Sequence, residues 1–91
     1  MDYEVYADNL LRLAENYEIC TEEASAFQNA LKSGSEAAIK DAEEVLEASI
    51  MLGEAAEKYG MEVKELSIQS KALSKEYKIN EKAAAQLAIE N

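Results

Sequence analysis

EAAIKDAEEVLEASIMLGEAAEKY, residues 36–59, is the longest stretch of this chain that a single helix can occupy. Ala38, Ala42, Val45, Ser49, Leu52, Ala56 and Tyr59 recur at alternating spacings of four and three, which aligns them as one stripe. Small side chains dominate that stripe, and this suits close antiparallel packing in a bundle. The opposite side carries Lys40, Glu44, Glu47, Met51, Glu54 and Lys58. Ser35 can cap the start, and Gly60 can adopt the positive φ that ends a helix. With no Pro in the chain and Ala, Glu, Leu and Lys dominant, the expected fold class is all-α. The expected architecture is a compact bundle of four to five helices with short corners.

Upstream, SGS at 33–35 breaks the pattern. A second helix is expected over Glu22–Lys32, with Ala24, Phe27 and Leu31 inward and Thr21 as its N-cap. A first helix over Asp2–Tyr17 places Tyr3, Tyr6, Leu10, Leu13 and Tyr17 on one stripe. Downstream, a fourth helix over Met61–Tyr77 has the stripe Val63, Leu66, Ser70, Leu73 and Tyr77. Ile68 and Ala72 fall on its other side, so this helix is expected to be sandwiched or to meet a partner. Asn80 caps a fifth helix, Glu81–Glu90, with Ala84, Leu87 and Ala88 inward. Tyr17, Tyr59 and Tyr77 each close a helix as its last core residue. Ile19, Met61 and Ile79, two residues beyond, act as anchors; after Ile19 and Ile79 a polar cap starts the next helix, much like a hydrophobic staple, and at Gly60 the turn is tighter. The tyrosines are forty-two and eighteen residues apart, which is no regular repeat. A length of 91 residues fits a single domain over 1–91.

Charge is the second strong signal. Nineteen acids against nine bases give a net charge of −10, above the magnitude of about 2 to 8 that suffices for solubility. Residues 1–57 hold fourteen acids and three bases, whereas residues 58–91 hold five acids and six bases. An acidic body repels phosphate and anionic membrane and attracts basic protein surfaces. The start, MDYEVYADN, lacks the basic and apolar regions of a signal peptide, and no run approaches the ~20 apolar residues of a membrane span. Cys20, the one cysteine, has no internal partner, so a reducing, cytoplasmic setting is expected.

Catalysis finds little support. There is no His to act as a base near neutral pH, and Cys20 has no imidazole to activate it. Glycine-rich phosphate loops and metal-ligand spacings are missing, so no catalytic, cofactor or metal site is expected. The acids point to a partner instead. Residues 41–57 contain six acids and no base. Glu43, Glu44, Glu47 and Glu54, with Met51 among them, are the first candidates for a protein-binding face. Glu22 and Glu23 are the second. The expected function is binding of a protein with a basic surface. Its most concrete form is a phage-type inhibitor or modulator covering the nucleic-acid-binding surface of an enzyme, carboxylates standing in for phosphates. Met51 and the two-sided fourth helix also fit a homodimer seam.

Two resemblances give alternatives. Leu73, Ser74, Tyr77, Ile79, Ala84 and Leu87 fall where helix-turn-helix proteins place core residues, so the 72–88 corner resembles that motif, with Lys78 in place of the usual corner glycine. The resemblance implies a small transcription regulator presenting Lys78, Lys82 and Gln86 to a groove. Direct DNA binding is opposed by Glu81 at the incoming helix end, by an alanine-rich reading face, and by a net −10 set against the roughly six to ten phosphate contacts such proteins make. Separately, Tyr77 and Glu81 have the Tyr-x-x-x-Asp/Glu spacing, and in that pair the chain resembles small helical-hairpin proteins exported by Gram-positive type VII systems. That likeness implies a helical partner of an exported effector. The Trp-x-Gly turn of that family is missing.

Overall fold

The longest helix forms the axis on which the others pack. A computed structural model describes residues 3–90 and contains α1 (Tyr3–Ala14), a 3-10 turn (Glu18–Cys20), α2 (Thr21–Ser33), α3 (Glu36–Tyr59), α4 (Val63–Tyr77) and α5 (Glu81–Glu90). No strand occurs among the described residues. The radius of gyration is 13.0 Å, close to the about 12 Å expected for a compact chain of this length. The structure is therefore the all-α bundle that the periodicity implies.

Local chemistry fixes the helix ends. Ser35 Oγ accepts from the Ala38 amide at 3.4 Å, and Asn80 Oδ1 accepts from the Ala83 amide at 2.8 Å. Each satisfies one of the amides that a helix start leaves without an intrahelical partner. Gly60 sits at φ 66°, and the Met61 amide reaches back to the Ala56 carbonyl at 3.1 Å. Val63, rather than Met61, begins α4, because Glu62 before it is extended, at φ −82° and ψ 119°. Thr21 is not an N-cap. It already has helical dihedrals, and its Oγ1 donates to the Glu18 carbonyl at 2.9 Å, since the 3-10 turn runs straight into α2.

α1 stops at Ala14, three residues short of Tyr17. The Asn16 and Tyr17 amides bond to the Leu13 and Ala14 carbonyls, a tighter i−3 pattern that ends the helix. Tyr17 is then extended, and its ring lies on Gly53. A Cβ at residue 53 would stand 2.6 and 2.7 Å from ring carbons of Tyr17, so only glycine lets the corner close on α3.

The core has two parts, one on each side of α3. Ala7, Leu10, Ala14, Cys20, Phe27, Leu46 and Ile50 form the first, between α1, α2 and α3. Ala48, Leu52, Ala55, Leu66, Ala85 and Ala88 form the second, between α3, α4 and α5. The expected α3 stripe is buried only at its middle, where Ser49 and Leu52 lie; Ala38 and Tyr59 are exposed. A strict alternation of four and three has a period of 3.5. On a straight helix it drifts by about 20° per heptad, or about 60° from Ala38 to Tyr59, so both ends rotate off the core. Tyr77 at the end of α4 is likewise 59% exposed, and Leu13 of the expected α1 stripe is 47% exposed. In α1 the alanines Ala7 and Ala14 face inward instead, where their small size brings the helix close to its neighbours.

Candidate protein-binding surfaces

The first candidate face is partly taken up by the fold. Tyr3 and Tyr6 are one turn apart on α1, and Glu43 and Glu47 one turn apart on α3. The Tyr3 hydroxyl donates to Glu43 and the Tyr6 hydroxyl to Glu47. Burial together with the hydrogen bond to Glu43 pushes the Tyr3 phenol up to about 12. Burial and Glu47 raise Tyr6 as well. Lys82 Nζ of α5 lies 3.5 Å from Glu47, with side chains 50% and 19% exposed. Glu43 and Glu47 are thus acceptors in a seam joining α1 and α3, with Lys82 bringing α5 to it. Glu44 is half-buried beside them, and Glu54 is exposed. Met51 is half-buried against the second core cluster.

Glu22 and Glu23 belong to a different surface. They stand with Asp41 along a groove of about 700 Å³ between α2 and α3, whose lining is mostly apolar: Ala26 and Ala30 from α2, Ala38, Ala42 and Val45 from α3. Val45 and Glu47 are two residues apart, hence about 200° around the α3 axis. The groove and the tyrosine–glutamate seam therefore occupy opposite sides of α3, and the acids singled out in the sequence do not converge on one site. Sequence reasoning did not single out Asp41, Ala26 or Ala30, and it placed Ala38 and Ala42 on a packed stripe rather than in an open groove. Their signal was present as small i,i+4 pairs, 26/30 and 38/42, on the two helices flanking Gly34.

The α4–α5 corner turns through Lys78, which takes the left-handed conformation at φ 55° that glycine usually supplies. Ser74 Oγ donates to the Ile79 carbonyl at 2.8 Å and holds the corner. Lys78, Lys82 and Gln86 are exposed, but Lys82 is drawn to Glu47. Tyr77 is the last residue of α4 and Glu81 the first of α5. Lys64, Lys71 and Lys75 are exposed along α4, and Ile68 between them is 70% exposed. The second apolar side of α4 is therefore uncovered rather than sandwiched.

Chemistry-bearing groups elsewhere are few. Cys20 is fully buried, and burial with Glu23 nearby pushes its thiol up to about 11, so it stays protonated at neutral pH. Among the described residues no group of three His, Cys, Asp or Glu is placed to hold a metal ion, and no helix is long and apolar enough to cross a membrane. No protein-family model, curated protein or solved structure matches the chain.

Proposed function

We propose that this chain is a non-catalytic binding protein whose acidic α2–α3 body covers a basic surface on another protein. In its concrete form it is an inhibitor or modulator of the phage type, set on a nucleic-acid-binding surface. One observation carries this reading. Among the described residues a single ion pair forms, Lys82 with Glu47, so the acids of α2 and α3 are left almost uncompensated by the molecule's own bases. Folding gains nothing from such an excess, because like charges repel within the compact state.

Glu43 and Glu47 serve the seam, and Glu54 lies about 180° around α3 from Val45, so the test uses Glu22, Glu23 and Asp41, which share one surface. Capture of a nucleic-acid-binding protein from lysate is expected to weaken steeply as salt rises and to be lost in the Glu22→Lys/Glu23→Lys/Asp41→Lys variant. Added duplex DNA is expected to compete with it. Capture that ignores salt, the triple change and DNA defeats the reading.

A second reading has the α4–α5 corner bind DNA, and the left-handed Lys78 between two packed helices favours it. Glu47 and Glu81 beside Lys82 oppose it. It requires a DNA mobility shift that Lys78→Ala removes.

A further inference from the structure

The groove between α2 and α3 is an apolar surface that nothing among the described residues covers. Ala26 and Ala38 in its lining are exposed, while Ala30 at its base is 8% exposed. We propose that it receives one amphipathic, basic helix of the partner protein, apolar side down on the alanines and cationic side chains against Glu22, Glu23 and Asp41. The proposal rests on the binding function above and deepens it by naming the shape of the ligand.

Three features select that occupant. Both walls are helices whose backbone groups are already paired, so an extended strand would find no ladder partners, whereas a helix satisfies its own backbone. Each side contributes two alanines, Ala26 and Ala30 from α2 and Ala38 and Ala42 from α3, beside the small or polar Ser33 and Asn29, which allows a third helix to approach to the roughly 8 Å of a close helix–helix contact. The thirteen residues of α2 span about 20 Å, room for three to four turns of an incoming helix. Charge then decides its composition. The charged groups lining the groove are all carboxylates, and the molecule carries a net −10, so a cationic helix is attracted and an anionic one repelled.

A second copy is the rival occupant. Its α4 offers Ile68 flanked by Lys64, Lys71 and Lys75. Glu65 and Glu76 lie on the same exposed helix, however, and docking would bring together two bodies of net −10. The partner of opposite charge is favoured.

The test uses two synthetic fluorescent peptides of about fourteen residues, the length of roughly four helical turns. Both contain the same Leu and Lys residues. One has them in helical order; the other alternates them strictly, which gives a strand pattern. Anisotropy titrations at about 0.15 M salt compare the intact chain with Ala26→Lys/Ala38→Lys, which obstructs the groove. The control, Ser25→Lys/Ala37→Lys, makes the same charge change at exposed neighbouring positions outside it. Circular dichroism checks that both variants remain folded.

The helical peptide is expected to bind more tightly than the alternating one. The groove variant is expected to weaken it by about tenfold or more, and the control by about twofold or less. Equal weakening by both variants, or equal affinity of the two peptides, overturns the groove assignment while leaving the acidic binding function standing. Binding of neither peptide, even at low salt, removes both. A concentration-dependent rise in mass that Ile68→Glu and the groove variant each abolish assigns the groove to a second copy and overturns the proposal.

Discussion

On the α1–α2 side of α3 the core holds Phe27, Leu10, Leu46 and Ile50 beside the small Ala7, Ala14 and Cys20; on the α4–α5 side four alanines, Ala48, Ala55, Ala85 and Ala88, surround Leu52 and Leu66, with Met51, Met61, Leu73 and Ile89 at the edge. The first side is stabilised by volume, since each bulky side chain removed from water contributes roughly 1.5 to 3 kcal/mol. The second is stabilised by proximity. Alanines let the backbones of α3, α4 and α5 approach, so dispersion between close helices replaces bulk, and the corner between α4 and α5 must be geometrically right. Charge divides differently. Residues 1–35 and α3, the axis that both cores share, each hold seven acids and two bases, whereas residues 60–91 hold five of each.

The sharpest test of that contrast is to shrink one side and enlarge the other. Phe27 is fully buried, and Phe27→Ala should cost about 3 to 5 kcal/mol, read from the urea midpoint. On the other side Ala85 is fully buried, and Ala85→Leu should cost about 1 to 3 kcal/mol by forcing α5 off its neighbours. If Ala85→Leu is neutral, the second core is loosely packed and the contrast fails. The corner gives an effect of opposite sign. A left-handed residue other than glycine costs roughly 1 to 2 kcal/mol, and glycine's extra freedom when unfolded returns roughly 0.5 to 1 of it. Lys78→Gly should therefore raise stability by up to about 1.5 kcal/mol in a thermal melt.

The smallest effect concerns the seam between α1 and α3, on the first of the two sides. Burial and the hydrogen bond to Glu43 push the Tyr3 phenol up to about 12, and burial with Glu47 raises Tyr6 too. Both donate their phenol protons to α3 carboxylates. Their contribution is complete below pH 10 and is lost as pH rises from there through the folded value, because the unfolded chain gives up those protons first. Tyr3→Phe/Tyr6→Phe should flatten that alkaline fall in stability, with a residue left by Tyr17, whose phenol burial also raises. An unchanged alkaline limb would show that the phenols do not donate to Glu43 and Glu47.

How much of this was legible depended on range along the chain. The bounds of α3 and α5 could be read because Ser35, Gly60 and Asn80 act within four residues of themselves. The rotation of α3 could not, since the drift of a 3.5-residue pattern on a straight helix shows only when the helix is packed. The seam was equally hidden: Tyr3 and Glu43 are forty residues apart and Tyr6 and Glu47 forty-one. So Glu43 and Glu47 read as outward acids although they have partners, and the open groove read as a buried stripe.

By itself the sequence determined five helices, most of their ends, and an acidic body joined to a nearly neutral one, because periodicity, capping and charge are properties of neighbouring residues. Only the tertiary structure decided which carboxylates are occupied, which alanines are covered and where an apolar surface stays open. Those outcomes depend on which helix faces meet, and side chains far apart in the chain settle that together.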